Sequence, residues 1–516
     1  MIYDLEFGRN GNERTRCCPE RLLTRYNLSS LERVTARAPQ RRTGGVPHNP
    51  QTKPNNTRGG RSATRRTGAR WHGRKERSRP DKGAKVLDQF FSQISFVDIF
   101  NFCVFLTFTI CYTYQLYYVF VVLTRKPKEL TAKKNHKFAA VISARNESAV
   151  IGDLIHSIKV QNYPSELIDV FVIADNCTDD TARVAREAGA IVFPRSNDKE
   201  VGKGYALDYG FQCIRERYAD KGYEAYFVFD ADNVLDVNYF REMNKTFDNG
   251  AKASTSYRNS KNYDSNWISA GYAVWFLREA KFLNQARLTL NTSCAVSGTG
   301  FFIAADIIEK NGGWKWHLLT EDIEFSVSCA LKGRRIGYCD KAVIYDEQPT
   351  AFRQSWDQRL RWSKGFYQVN ANYSGDLVRG FCQKPSWKSW SCYDMFMTVA
   401  PGMLLTLVTI AFNLVVCLAC WGQPSYIVRE ILSVSGSFLL STVASFYLGL
   451  LLYGILTVLC EWDQIQIPTG KKFLYVFTFP LFMFTYIPIS LAALVKKVEW
   501  KPIYHTGSRQ SLGKAA

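Results

Sequence analysis

A run of 25 residues without a single charge, 99–123, constrains this chain more than any other feature. As a helix rising 1.5 Å per residue it would be about 37 Å long. That exceeds a hydrocarbon core of about 30 Å, so a transmembrane helix is predicted over 96–124. Arg125, Lys126 and Lys128 follow at once and put its C-terminal end in the cytoplasm by the positive-inside rule. Three more apolar blocks return late, at about 395–421, 431–460 and 473–495, in a membrane region of roughly three spans over 393–497. The last block holds Pro480 and Pro488, which favour a kink or a re-entrant path. One span before a soluble domain and three after it would leave the basic N-terminus, Lys496, Lys497 and Lys501 outside, against the same rule. Either one block is re-entrant or interfacial, or one block holds two short helices.

The basicity is local. Net charge is +20, yet residues 1–85 hold 21 Lys and Arg against seven Asp and Glu. One tail therefore carries most of it, and a nucleic-acid partner for the whole chain loses its support. The tail is rich in Arg, Gly, Thr, Pro and Asn without apolar period, as disordered segments are. It reads either as a basic arm on anionic lipid or as an over-extended gene start, since no Met occurs between Met1 and Met243. No apolar segment near Met1 marks a secretory signal. The 14 cysteines form no paired CxxC framework and fit a reducing compartment. Cys417 and Cys420 have metal-site spacing but lie inside an apolar block. A second short tail covers 498–516.

Residues 133–350 read as a soluble α/β domain. Strand candidates at 138–143, 170–174, 191–193 and 226–229 alternate with helical patterns at 147–160, 178–188, 203–217 and 237–247. That order implies a Rossmann-like, mostly parallel sheet covered by helices. Sites in such sheets lie beyond the C-terminal strand ends, where Asp175 and the pair Asp230/Asp232 fall.

Four groups carry candidate chemistry. Asp230-Ala231-Asp232 could share a divalent cation with phosphate oxygens, or Asp232 or Asn233 could cap a helix. Asp175 could hydrogen-bond a ribose or a base, while Asp179 and Asp180 are expected to cap the next helix. Thr320-Glu321-Asp322 offers a general base or a capped helix start. Gln358, Arg361 and Trp362 share one helix face at i, i+3 and i+4. An amide, a guanidinium and an indole suit a sugar hydroxyl, a pyrophosphate and a sugar ring, or an interfacial helix with a Trp anchor.

The ordered set resembles the processive, membrane-integrated family 2 glycosyltransferases, the group of cellulose, hyaluronan and chitin-type synthases. The matches run Ala144-Arg145-Asn146-Glu147, Asn162-Tyr163-Pro164, Asp175, Gly202-Lys203-Gly204-Tyr205-Ala206-Leu207, Asp230/Asp232, Ser297-Gly298-Thr299-Gly300, Thr320-Glu321-Asp322 and Gln358…Arg361-Trp362. Val498-Glu499-Trp500-Lys501-Pro502-Ile503-Tyr504-His505-Thr506 looks like a segment of Firmicute-type members. The resemblance covers about 95–506. It implies a GT-A domain flanked by transmembrane helices, with interfacial helices over 351–392.

It implies roles as well. Asp175 would contact the uridine, with Glu147 and Lys203 nearby, and Asp230 would support nucleotide binding. Asp232 would hold Mg²⁺ or Mn²⁺ on the UDP diphosphate. Asp322 would deprotonate the acceptor hydroxyl, with Glu321 beside it in the substrate-binding set. Ser297, Gly298, Thr299 and Gly300 would border the acceptor terminus. Gln358, Arg361 and Trp362 would hold the diphosphate and the acceptor end. The implied partners are a UDP-sugar, a nascent polysaccharide and the lipid bilayer, at a plasma membrane with the catalytic domain cytoplasmic. The expected activity is inverting, processive synthesis of a β-linked polysaccharide that is moved outward. Glucose is the first choice of sugar, from the small residues at 297–300. The alternatives are an N-acetylglucosamine or hyaluronan-type polymer, or non-processive transfer to a lipid, against which the Gln358/Arg361/Trp362 set argues. A scaffold without catalysis would show a broken carboxylate set, and Asp175, Asp230, Asp232 and Asp322 are all present.

Overall fold

The computed structural model describes residues 96–400, 402–499 and 505. The basic tail of 1–85 and most of 498–516 lie outside the described residues. The chain divides into a unit ending at Phe100 and a second unit, Asn101–Ala516; the contacts below lie within the second.

The first apolar segment is two helices, α1 (Phe96–Tyr112) and α2 (Tyr114–Thr124), interrupted at Thr113. The Thr113 hydroxyl donates to the Thr109 carbonyl, a back-bond that bends helices. Phe102, Phe105 and Ile110 are exposed, as lipid-facing side chains are.

The α/β domain follows as β1 (Phe138–Ala144), α3 (Ile151–Lys159), β2 (Ile168–Asp175), α4 (Thr181–Glu187), β3 (Ile191–Arg195), α5 (Lys203–Arg217), β4 (Ala225–Asp230), β5 (Val234–Leu235), α6 (Tyr239–Asp248), β6 (Ala253–Ser260), α7 (Trp267–Arg278), α8 (Gln285–Thr289), β7 (Phe301–Ala304), α9 (Ala305–Asn311), α10 (Glu321–Leu331) and β8 (Gly337–Asp346). The strands form one sheet in the order β3-β2-β1-β4-β7-β6-β8-β5. Alternate residues of each strand face opposite sides. Val141, Ile173 and Val228 meet Phe211 of α5 on one face. Ile142, Val172 and Phe227 meet Leu154 of α3 and Phe240 of α6 on the other. Both faces are covered, which is why β1 reads as a continuous apolar run.

The sheet is parallel from β3 to β4, as the sequence predicts. Beyond β4 it is mixed: β7 is antiparallel to β4 and β6, and β8 is parallel to β6 with an irregularity at Ser256/Tyr257. Because β1 lies between β2 and β4, the strand order reverses there, and the crevice opens beyond its C-terminal end.

The remaining helices are α11 (Phe352–Phe381), α12 (Trp387–Val399), α13 (Gly402–Ala419), α14 (Ser425–Cys460), α15 (Thr469–Phe484) and α16 (Tyr486–Val495). Among the described residues three segments are long and apolar enough to cross a membrane: Phe96–Thr124, Val428–Cys460 and Thr469–Val495. Asn101 of α1 and Asn413 of α13 exchange two amide hydrogen bonds, at 3.2 and 2.9 Å, the polar glue expected between helices in lipid. The last apolar block is two helices, with the break at Thr485. A third of its apolar window is buried in protein, against 6% for Phe96–Thr124. Both of its ends meet elements outside the apolar blocks. Lys471 pairs with Asp264 at 3.0 Å, and Lys364 of α11 donates to the Ala493 carbonyl at 3.0 Å.

Candidate active site

Three strand ends converge. Beyond β1 and β2 the chain turns through Asn146 and Asn176, both left-handed with φ of 58° and 51°, a conformation Asn tolerates. Asn146 Oδ1 accepts the Thr178 N–H at 2.8 Å, and Asn176 exchanges hydrogen bonds with Asn197 beyond β3. Asp179 accepts the N–H groups of Thr181 and Ser148. Asp180 occupies the N-cap position of α4 but its side chain makes no cap bond; it pairs with Arg183 instead.

Asp175 is buried at the end of β2 and accepts from Arg195 Nη1 at 2.6 Å. Burial raises its pKa, and Arg195 opposes that rise. At the end of β4, Asp230 pairs with Lys203, which also donates to the Gly298 carbonyl at 2.8 Å and lies 3.9 Å from Glu321. Burial would lower the Lys203 pKa, but Asp230, Glu321 and Asp322 outweigh it and raise it. Asp232 and Asn233 cap no helix; they precede the short strand β5.

Asp322 lies in the first turn of α10. The Thr320 side chain makes no cap bond, and its hydroxyl is buried without a partner. Gly298, with φ of 79°, aims its N–H at Asp322 Oδ2, 2.6 Å away. Burial raises the pKa of Asp322, against the pull of Lys203 and the Gly298 N–H. Burial likewise pushes Glu321 up to about 7.

A cavity of about 560 Å³ joins these groups. Its walls run from Asp175, Asp230 and Asp232, past Asp322, to Tyr112, Phe446 and Tyr486 on apolar helices. Glu147, Lys203, Ser297, Gly298, Glu321, Gln358, Arg361 and Trp362 also line it. Gln358 Oε1 is buried without a partner. Burial lowers the Arg361 pKa, and the carboxylates Glu321, Asp230 and Asp322 pull it back up. Trp362 packs edge-on against Tyr272 and Phe276. Two expected site residues stand apart. Thr299 is buried against Asn233, with its hydroxyl also accepting the Asp230 N–H at 2.9 Å. Gly300 is wedged where a Cβ would lie 2.6 Å from Ser256 and Ile344. They shape the turn and leave the lining to Ser297 and Gly298.

Several site residues escape a motif reading. Arg195 is the register partner of Asp175 in parallel β2–β3, which is the signal that could have found it. Arg258 donates to Asp346 Oδ2 at 2.7 Å and to the Ser297 carbonyl at 2.9 Å. His505, in the C-terminal segment, places Nδ1 3.0 Å from Glu147 Oε2 and Nε2 3.7 Å from Asp232 Oδ2. Burial would lower its pKa, but Asp232, Glu147 and Glu347 push it up to about 9; burial pushes Glu147 up to about 7.

Among the described residues no three His, Cys, Asp or Glu side chains form a closed metal cage. A Mg²⁺-type ion needs none, because it keeps waters and takes substrate phosphates beside one or two protein ligands. Asp232, lining the cavity, supplies one such carboxylate.

Residues 136–365 match the family described as "Glycosyltransferase like family 2". They form a family 2 glycosyltransferase domain. The chain is 25% identical over 301 residues to the beta-monoglucosyldiacylglycerol synthase of Synechocystis sp., covering 55% of this chain and 61% of the relative. It is 23% identical over 292 residues to a poly-beta-1,6-N-acetyl-D-glucosamine synthase of Staphylococcus epidermidis, covering 55% and 68%. With YdaM of Bacillus subtilis, a probable glycosyltransferase, it is 25% identical over 241 residues, covering 45% and 56%. The chain thus spans little more than half the length of several of these relatives. The mannosyltransferase PcManGT from Pyrobaculum calidifontis, solved with GDP-Man and Mn²⁺, superposes with a TM-score of 0.50 at 14% identity, over 77% of this chain and 99% of that one. The transferase domain accordingly has the GT-A fold.

Proposed function

We infer that the chain is a membrane-bound, inverting, UDP-sugar-dependent transferase that extends a β-linked glycan, with glucose the first sugar to test. One observation carries this reading. A single cavity holds the carboxylate of Asp322, the cationic Lys203 and the Gln358/Arg361/Trp362 face, and it continues to the apolar helices. Asp175, steadied by Arg195, would meet the nucleoside. Lys203 and Arg361 would neutralise the diphosphate as charge develops on it. Mg²⁺ or Mn²⁺ held by Asp232 would supply further charge neutralisation there. Asp322, oriented by the Gly298 N–H, would take the proton of the acceptor hydroxyl. The freed oxygen attacks the anomeric carbon from the face opposite UDP; the new C–O bond forms as the bond to phosphate breaks, and UDP leaves. Asp322 then returns its proton to solvent. Trp362 and the other aromatic walls would stack on sugar faces, and the domain would face the cytoplasm of a plasma membrane.

A second reading is transfer to a lipid hydroxyl. It is favoured by the apolar lining at Phe108, Leu283, Met397 and Met483 and by the relatives named as glucosyldiacylglycerol synthases. The test is the purified chain in nanodiscs with Mn²⁺ and radiolabelled UDP-glucose, UDP-N-acetylglucosamine or UDP-glucuronate. Water-soluble, high-molecular-weight label supports the glycan reading. Label that extracts into chloroform–methanol supports the lipid reading. No UDP release from any donor sinks both. Asp322→Asn should lower turnover by about 10²–10⁴-fold, the usual contribution of a positioned base.

A further inference from the structure

Glu279 lines the same cavity as Asp322, on the side of the apolar helices, and no part of the donor chemistry uses it. It opens a π-helical turn, Glu279–Asn284, between α7 and α8; such turns recur at functional sites. Two consecutive residues tie the two carboxylates together. The Gly298 N–H donates to Asp322 at 2.6 Å, and the Ser297 hydroxyl donates to Glu279 Oε2 at 3.3 Å. The neighbouring arginines are committed elsewhere: Arg258 to Asp346, Arg287 to Asp394 and Arg278 to Gln115. Among the described residues Glu279 makes no ion pair, and its hydrogen bond from Ser297 is long. A carboxylate has room for about four hydrogen bonds, and removing it from water without them is unfavourable. Something that donates hydrogen bonds fits there. Three guanidinium groups nearby disfavour a cation. The aromatic walls Trp275, Phe276 and Trp362 suit the face of a sugar ring.

We propose that Glu279 and Ser297 form an acceptor subsite, in which the carboxylate accepts hydroxyl hydrogen bonds from the sugar at the growing end and holds its attacking hydroxyl toward Asp322. This rests on the glycan reading above.

The test uses the full chain with UDP-glucose and Mn²⁺ and cellotetraose as acceptor, with dioleoylglycerol in a parallel arm. Glu279→Gln should raise the KM for cellotetraose at least tenfold, change kcat less than threefold and leave the Kd of UDP within twofold. Glu279→Asp should fall between. An unchanged KM, or KM, kcat and UDP affinity worsening together, overturns the subsite, because the second pattern is structural damage. Transfer to dioleoylglycerol alone overturns the glycan reading. The subsite is then decided by quenching of tryptophan fluorescence by cellotetraose. Quenching in the wild-type chain that is lost in Glu279→Gln upholds it, and equal or absent quenching overturns it.

Discussion

At the scale of residues, the chemistry depends on how strongly burial opposes charge. As the proposed base, Asp322 would have to be ionised to accept a proton, and its pKa is raised by burial while Lys203 pulls it down. The acid limb of kcat/KM should therefore lie above the ordinary carboxylate value of about 4. Lys203→Gln removes the downward pull, so the limb should move to higher pH; a pH–rate profile of the two chains checks the sign. The residues legible in the sequence are those whose chemistry is contiguous, such as Asp230-Ala231-Asp232, or set by one helix turn, such as Gln358 and Arg361. Arg195, Arg258 and Glu279 were not legible, because each is defined by a partner brought close by folding. Thr299 and Gly300 share a motif with Ser297 and Gly298, but sequence adjacency does not reveal which side of a turn faces the cavity.

At the scale of elements, close approaches decide how rigidly the site is held. Gly204 sits in the first turn of α5, beside Lys203, where a Cβ would lie 2.3 Å from the Trp316 carbonyl oxygen. Gly204→Ala should destabilise the domain by about 1–3 kcal/mol, the usual range for overpacking. Its apparent Tm should drop, and turnover should fall with it, because the 314–320 segment leads into α10. A second tie joins α2, α8 and α12: Arg287 and Asp394 form a fully buried bidentate pair, with Tyr118 donating to Asp394 at 2.8 Å. Asp394→Ala leaves that guanidinium uncompensated and should remove about 3–5 kcal/mol of stability, read as lost yield and a lower midpoint in a thermal scan. The first half of the sheet was legible because its strands are apolar runs separated by helical patterns. The second half was not. β6 is Ala-Ser-Thr-Ser-Tyr-Arg-Asn-Ser, a polar string that becomes a strand because β7 and β8 pair with it.

Across the whole molecule, sidedness turns on the last apolar block. By length and composition it could cross a bilayer. Its two ends nevertheless meet Asp264 and α11, on the catalytic half of the chain. We therefore predict that the block lies at the membrane surface, with Phe96–Thr124 and α14 as crossings and α13, a shorter apolar helix of 18 residues, as the third. In a chain freed of native cysteines, Gly422→Cys should react with an impermeant maleimide on intact cells. Gln466→Cys and Glu499→Cys should react only after permeabilisation. Labelling of Glu499→Cys on intact cells would restore the block as a span and put the C-terminal segment outside.

His505 gives this arrangement a temporal meaning. It meets Glu147 across 358 residues of chain, and every apolar helix lies either before Glu147 or between the two. A ribosome halted anywhere ahead of residue 505 leaves Glu147 and Asp232 without their imidazole partner. The cavity wall is thus completed only after every apolar helix has been made.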